Sequence, residues 1–290
     1  MIRVAAFVVA VLLLAALFGA RSTDPSEADP LRLAWLTKVA GAQAGAADSA
    51  LAAAETLMRD ATAQARHGQA AILTGTDVPA VAMNVAADGF EAAAAPVAEA
   101  HAALDILGWT LRALDAGADP PSLTAGRADL AAIGAQWRAA AQPSSVLADQ
   151  RRDTEAVLDS LGDALAALEA DDLDVALQAL DRAEESLAQV PEGDADLSTL
   201  RYWVDTVQAL LDATRDIAEA TQSGDAAALA AAQAAFDAAA ADATRADQAL
   251  TIVLGESAAR ITGPASASSA AALRAVLSSR DQLARLSILR

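Results

Sequence analysis

The sequence has no cysteine, a single lysine (Lys38) and two histidines (His67 and His101). Lack of cysteine excludes disulfides, thiol chemistry, cysteine-ligated zinc and a cysteine-linked lipid anchor. Aromatic residues are only 3 % of the chain, and its 290 residues include 15 glycines and 9 prolines. A β-sandwich or barrel needs frequent turns and many β-branched or aromatic residues, so those folds are excluded. Positive charge is also scarce, with 20 cationic residues against 39 acidic ones and a net charge of −19. Such a body repels DNA, RNA and anionic lipid, and nucleic acid is excluded as a partner.

What is abundant is alanine, the best helix former, within a chain that is 54 % apolar. That combination argues against disorder and for an all-α protein. Aspartate outnumbers glutamate although glutamate suits helices better, so helix stability did not set that ratio. Genome composition and salt adaptation account for it equally well.

Val4 to Ala20 is an unbroken run of apolar residues and one glycine, flanked by Arg3 and Arg21. As a helix it would reach about 25 Å, enough for a short membrane span. Cleavage after Ala20 would place Phe18 where signal peptidase requires a small residue. Residues 1–21 are therefore expected to be a retained transmembrane anchor, with a cleaved signal and a secreted body as the alternative. The cationic start, and Asp24, Glu27 and Asp29 after the run, orient the body outside the cell.

The remaining boundaries follow composition. Residues 22–30 form a polar linker with Pro25, and Pro30 suits a first helical turn. Residues 31–143 and 144–262 form two halves of an elongated alanine-rich bundle or array of helical hairpins. Residues 263–290 form a linker and a basic amphipathic helix. Breaks are expected at His67-Gly68, Thr74 to Asp77, Gly117 to Pro121, Pro143, Asp171-Asp172, Pro191 to Asp196, Ser223-Gly224-Asp225 and the small-residue stretch Gly263 to Ser269. Pro96 predicts a kink or break. Ser122 or Thr124 is placed to cap the helix that follows. The short connection at Asp171-Asp172 predicts antiparallel neighbours. Trp35, Trp109, Trp137 and Trp203 are expected to be core anchors in different helices.

Motifs for chemistry are few. There is no phosphate loop, dinucleotide fingerprint or serine elbow. A di-iron bundle needs Glu-x-x-His, but Glu99 and His101 are two apart and point to different faces. His101 and Asp105 are four apart and share a face, which suits a hydrogen-bonded surface pair. No catalytic residue, cofactor or metal is expected. Arg151 and Arg152 are candidates for an anion contact. Arg274, Arg280, Arg285 and Arg290 make the C-terminal region basic on an acidic protein, and are candidates for docking onto the bundle or contacting a partner. The expected function is a non-catalytic, membrane-tethered, extracytoplasmic module that interacts with an envelope protein. The alternative is a ligand-sensing bundle that signals through a separate partner.

Overall fold

The computed structural model describes residues 30–75, 78–115, 117–190 and 197–286. The expected membrane segment and nearly all of the linker after it lie outside the described residues. Among the described residues, no helix is long and apolar enough to cross a membrane. They form a helical bundle of six helices with no strand. In chain order these are α1 (Pro30–Thr74), α2 (Pro79–Ala113), α3 (Arg127–Glu169), α4 (Leu173–Gln189), α5 (Leu197–Ser223) and α6 (Ala226–Arg285). The all-α expectation holds.

Two compact units are present. One contains residues 30–56, 93–127 and 272–286, and the other contains 57–92 and 128–271. Thus α1, α2 and α6 each contribute a segment to both.

Alanine sets how these helices pack. On α1 the buried residues Ala44, Ala47, Leu51, Ala54, Met58, Ala61 and Ala65 alternate in steps of three and four. That spacing keeps one narrow seam facing the neighbouring helices. A methyl contributes less on burial than a leucine side chain, so the seam relies on close approach with larger side chains at intervals. Gly68 shows how close. A Cβ there would lie 3.1 Å from Met83 Cγ and 3.2 Å from the Pro79 carbonyl oxygen. The expected break at His67-Gly68 is therefore not a break: α1 continues to Thr74, and the glycine admits α2.

Prolines also interrupt less than expected. Pro96, Pro143 and Pro264 all lie inside helices. Pro143 does not end its helix, because Ala140, Ala141, Ser144 and Ala148 around it are buried and hold the register. Packing on both sides outweighs the one missing backbone donor. Ser122 and Thr124 do not start α3, which begins at Arg127.

The largest correction is Gly263 to Ser269, expected to be a flexible linker and found inside the 60-residue helix α6. Thr262, Ala265, Ser269, Ala272, Val276, Ser279 and Leu283 are all buried in alternating steps of three and four. The hydroxyls of Thr262, Ser269 and Ser279 donate to the carbonyls of Ala258, Ala265 and Ala275, so their burial leaves no polar group unpaired. In the second unit, the Gln69 side-chain amide donates to Thr262 Oγ1 at 2.9 Å and to Ser266 Oγ at 2.8 Å.

The turns at Asp171-Asp172 and Gly224 are where the sequence places them, and the expected break at Pro191 to Asp196 lies outside the described residues. Asp171 takes a positive φ of 60°, and Asp172 caps α4 by accepting from the Val175 N–H at 3.2 Å. Arg182 meets Asp163 at 3.7 Å, nearly equidistant from that turn, as antiparallel neighbours must. Gly224 has φ 69°, and Asp225 Oδ1 accepts from the N–H groups of Ala227 and Ala228. A hydrophobic core of the second unit gathers Leu161 of α3, Leu180 and Leu187 of α4, Trp203, Val207 and Leu211 of α5, and Leu250 and Leu254 of α6.

Trp137 and Trp203 are buried as expected. Trp35 is half-buried. Trp109 is 42 % exposed and is not a core anchor. The inward face of α2 there belongs to Leu107, Gly108 and Leu111, with Gly108 held against Pro120.

Candidate functional site

The most regular polar feature is an arginine of one helix set between two acids of another. Arg138 of α3 bonds to Asp88 at 2.7 Å and to both carboxylate oxygens of Glu91 on α2. Arg215 of α5 meets Asp181 at 3.0 Å and Glu184 at 2.9 Å on α4. Arg280 of α6 meets Asp48 at 2.9 Å and Glu55 at 2.5 Å on α1. The paired acids are three or seven residues apart, the spacings that put two side chains on one helix face. A planar guanidinium has several divergent donors and can serve both acids at once.

Local packing positions the Arg138 fork. Gly134 is one turn before Arg138, and a Cβ there would lie 2.9 Å from Glu91 Cγ, so its absence lets Glu91 lie against α3. The hydrogen bonds from Arg138 hold the Glu91 carboxyl below its ordinary range; desolvation opposes this and the charge of Arg138 reinforces it. Hydrogen bonds to Asp48 and then Glu55 push Arg280 above the ordinary guanidinium range, so it stays cationic.

The expected anion contact is occupied from within. Arg151 pairs with Glu155 and, at 3.3 Å, with Asp247 of α6. Arg152 meets Asp149 at 2.8 Å and donates from Nε to the Gly75 carbonyl at 3.1 Å, tying α3 to the turn after α1. Nearby Asp153 is raised above its ordinary range by desolvation and by the charge of Asp149, against the pull of Arg152.

The C-terminal arginines differ among themselves. Arg280 is committed to α1, and the Ser279 hydroxyl beside it lies 3.1 Å from the Ser122 carbonyl, sharing its one proton between that oxygen and the Ala275 carbonyl. Arg285 pairs along its own helix with Asp281 at 2.5 Å. Arg274 is exposed. Arg290 lies outside the described residues.

His101 does not pair with Asp105. Its Nε2–H donates to the Ala125 carbonyl at 2.9 Å and fastens the segment between α2 and α3. Among the described residues no cluster of three or more histidines and acids could hold a metal ion.

The forks were missed at the sequence level, where single arginines were weighed for an anion, a partner or docking onto the bundle, and not for a pair of acids on one facing helix. The available signal was the acid pairs themselves, Asp88 with Glu91 and Asp181 with Glu184. What it lacked was the identity of the facing helix. Compared with known proteins, the chain matches no family model, no curated protein and no solved structure.

Proposed function

We propose that the protein is a membrane-tethered, extracytoplasmic helical module that presents an acidic surface to a partner in the cell envelope. The observation that carries this reading is the set of forks. Each fork commits one arginine to two acids inside the molecule, in a chain with 39 acids and 20 cations. These arginines stay a third or more exposed but are engaged by acids of the same molecule, and the excess of acids over cations leaves the surface acidic. A surface of that kind favours cationic patches and repels other acidic molecules. The apolar run from Val4 to Ala20 supports the tether.

The test is cross-linking of the full-length protein in intact cells, with mass spectrometry of the captured species and of the protein's own N-terminus. The expected result is one reproducible envelope partner, Met1-side peptides retained, and capture that weakens as salt is raised. A new N-terminus near Arg21 and no partner would overturn the proposal. A small molecule that raises the melting temperature of the purified body would then favour ligand sensing.

A further inference from the structure

The first two turns of α1 differ in character from the rest of the chain. Residues 30–34 are exposed on every side, so this end of the helix projects past its neighbours and burial begins only at Leu36. Two of these residues are large and apolar: Leu31 is 75 % exposed and Leu33 39 %. Trp35, one turn beyond Leu31, is half-buried. Arg32 and Lys38 are exposed, and neither pairs with a carboxylate among the described residues. No acid occurs on α1 before Asp48, on a chain of net charge −19. Exposed leucines, a tryptophan and two cations at one helix end match the composition that settles at a lipid headgroup boundary.

The position in the chain says which surface covers it. Only nine residues separate Ala20, the last of the apolar run, from Pro30. Even fully extended, that linker reaches no more than about 30 Å. We propose that the projecting N-terminal end of α1 meets the surface of the bilayer that holds the tether end-on, so that Leu31 and Leu33, on opposite sides of the helix, both reach it. Leu31 and Leu33 enter the headgroup boundary, and Arg32 and Lys38 reach lipid phosphates. Asp24, Glu27 and Asp29 in the linker offset attraction to anionic lipid, so apolar insertion drives the contact. The inference rests on the tethered reading and adds a second membrane contact to it.

The absence of cysteine makes a clean test possible. Full-length Leu33→Cys, carrying an environment-sensitive fluorophore, is reconstituted into phosphatidylcholine–phosphatidylglycerol vesicles. The same label on Gln222→Cys, an exposed site at the end of α5, is the reference. The expected result is that both variants float with the vesicles, but only the Leu33→Cys label shifts to shorter wavelength and loses half or more of its emission to nitroxide-labelled lipid. Flotation with a Leu33→Cys label that stays aqueous overturns this contact and leaves the tether standing. Equal quenching at both sites also overturns it, because the contact is then not specific to α1. Failure to float overturns the tether and the contact together.

Discussion

The indole Nε1–H of Trp137 donates to the Ser269 hydroxyl at 3.0 Å, joining α3 to α6 across 132 positions of the chain. Ser269 passes its own proton to the Ala265 carbonyl at 2.7 Å, so both buried groups are satisfied. Ser269→Ala would leave the indole N–H buried without an acceptor. The expected cost is about 1–3 kcal/mol, measured by urea unfolding.

Trp203 gives the complementary case. It is fully buried in the core of the second unit, yet its Nε1 has no hydrogen-bond partner. Trp203→Ala removes a large buried side chain and is expected to cost about 3–5 kcal/mol. Trp203→Phe removes less volume and also removes the unpaired donor. It is therefore expected to cost less than Trp137→Phe, by about 1–2 kcal/mol. Equal losses for the two phenylalanine variants would contradict the difference in pairing.

These tryptophans show what was legible in the sequence. A large apolar residue on a leucine-bearing helical face is readily assigned to a core, and that worked for Trp203. The turns at Asp171 and Gly224 were legible because left-handed backbone and capping carboxylates demand particular residues. The continuity of α6 was not, because Gly263, Pro264 and three serines look like a linker when residues are sorted only by polarity. The register emerges once Thr262, Ser269 and Ser279 are counted as seam positions whose hydroxyls bond back to the helix. Trp109 failed for a similar reason: identity suggested an anchor, but the inward position went to Gly108. The forks depend on which helices face each other, which one-helix periodicity does not encode.

The Arg280 fork should be a stabilising contact in its own right. Glu55 is only 12 % exposed, so removing Arg280 takes the cross-helix cation away from a largely buried carboxylate. Arg280→Ala is expected to cost about 1–3 kcal/mol. A double-mutant cycle with Glu55→Ala should return a favourable coupling that persists in high salt. The more exposed Arg138 fork should lose most of its coupling under the same conditions.

Two carboxyls give opposite responses to acid. Glu91 is held below its ordinary 4.5, so its contribution to stability is complete above that pH and is lost as pH falls through the lower folded value. Asp153 is raised above its ordinary 3.8, so its charged form is disfavoured in the folded protein. Its penalty is present above the folded value and disappears as pH falls toward the unfolded one. Glu91→Gln should lower the melting temperature at pH 6, with a difference that closes in acid. Asp153→Asn should raise it at pH 6 by about 1 °C, and that gain should also vanish near pH 3. Thermal melts of the three proteins from pH 3 to pH 7 check both signs.

Glycine substitutions test how closely the helices approach. Gly162 lies within α3 and a Cβ there meets nothing within 4 Å, so Gly162→Ala should stabilise by about 0.5–1 kcal/mol through helix propensity alone. Gly89 of α2 is the opposite case, because a Cβ would lie 2.8 Å from the Ala61 Cβ on α1. Neither methyl can rotate away, so the two backbones must separate and the seam on both sides must loosen. Gly89→Ala is expected to cost about 1–3 kcal/mol. If the cost is steric, exchanging the two residues should recover much of it. Ala61→Gly combined with Gly89→Ala supplies the same single methyl from the other helix. Recovery in the double variant identifies the close approach of α1 and α2 as the cause. A double variant no more stable than Gly89→Ala alone would show that the glycine is required for some reason other than that contact.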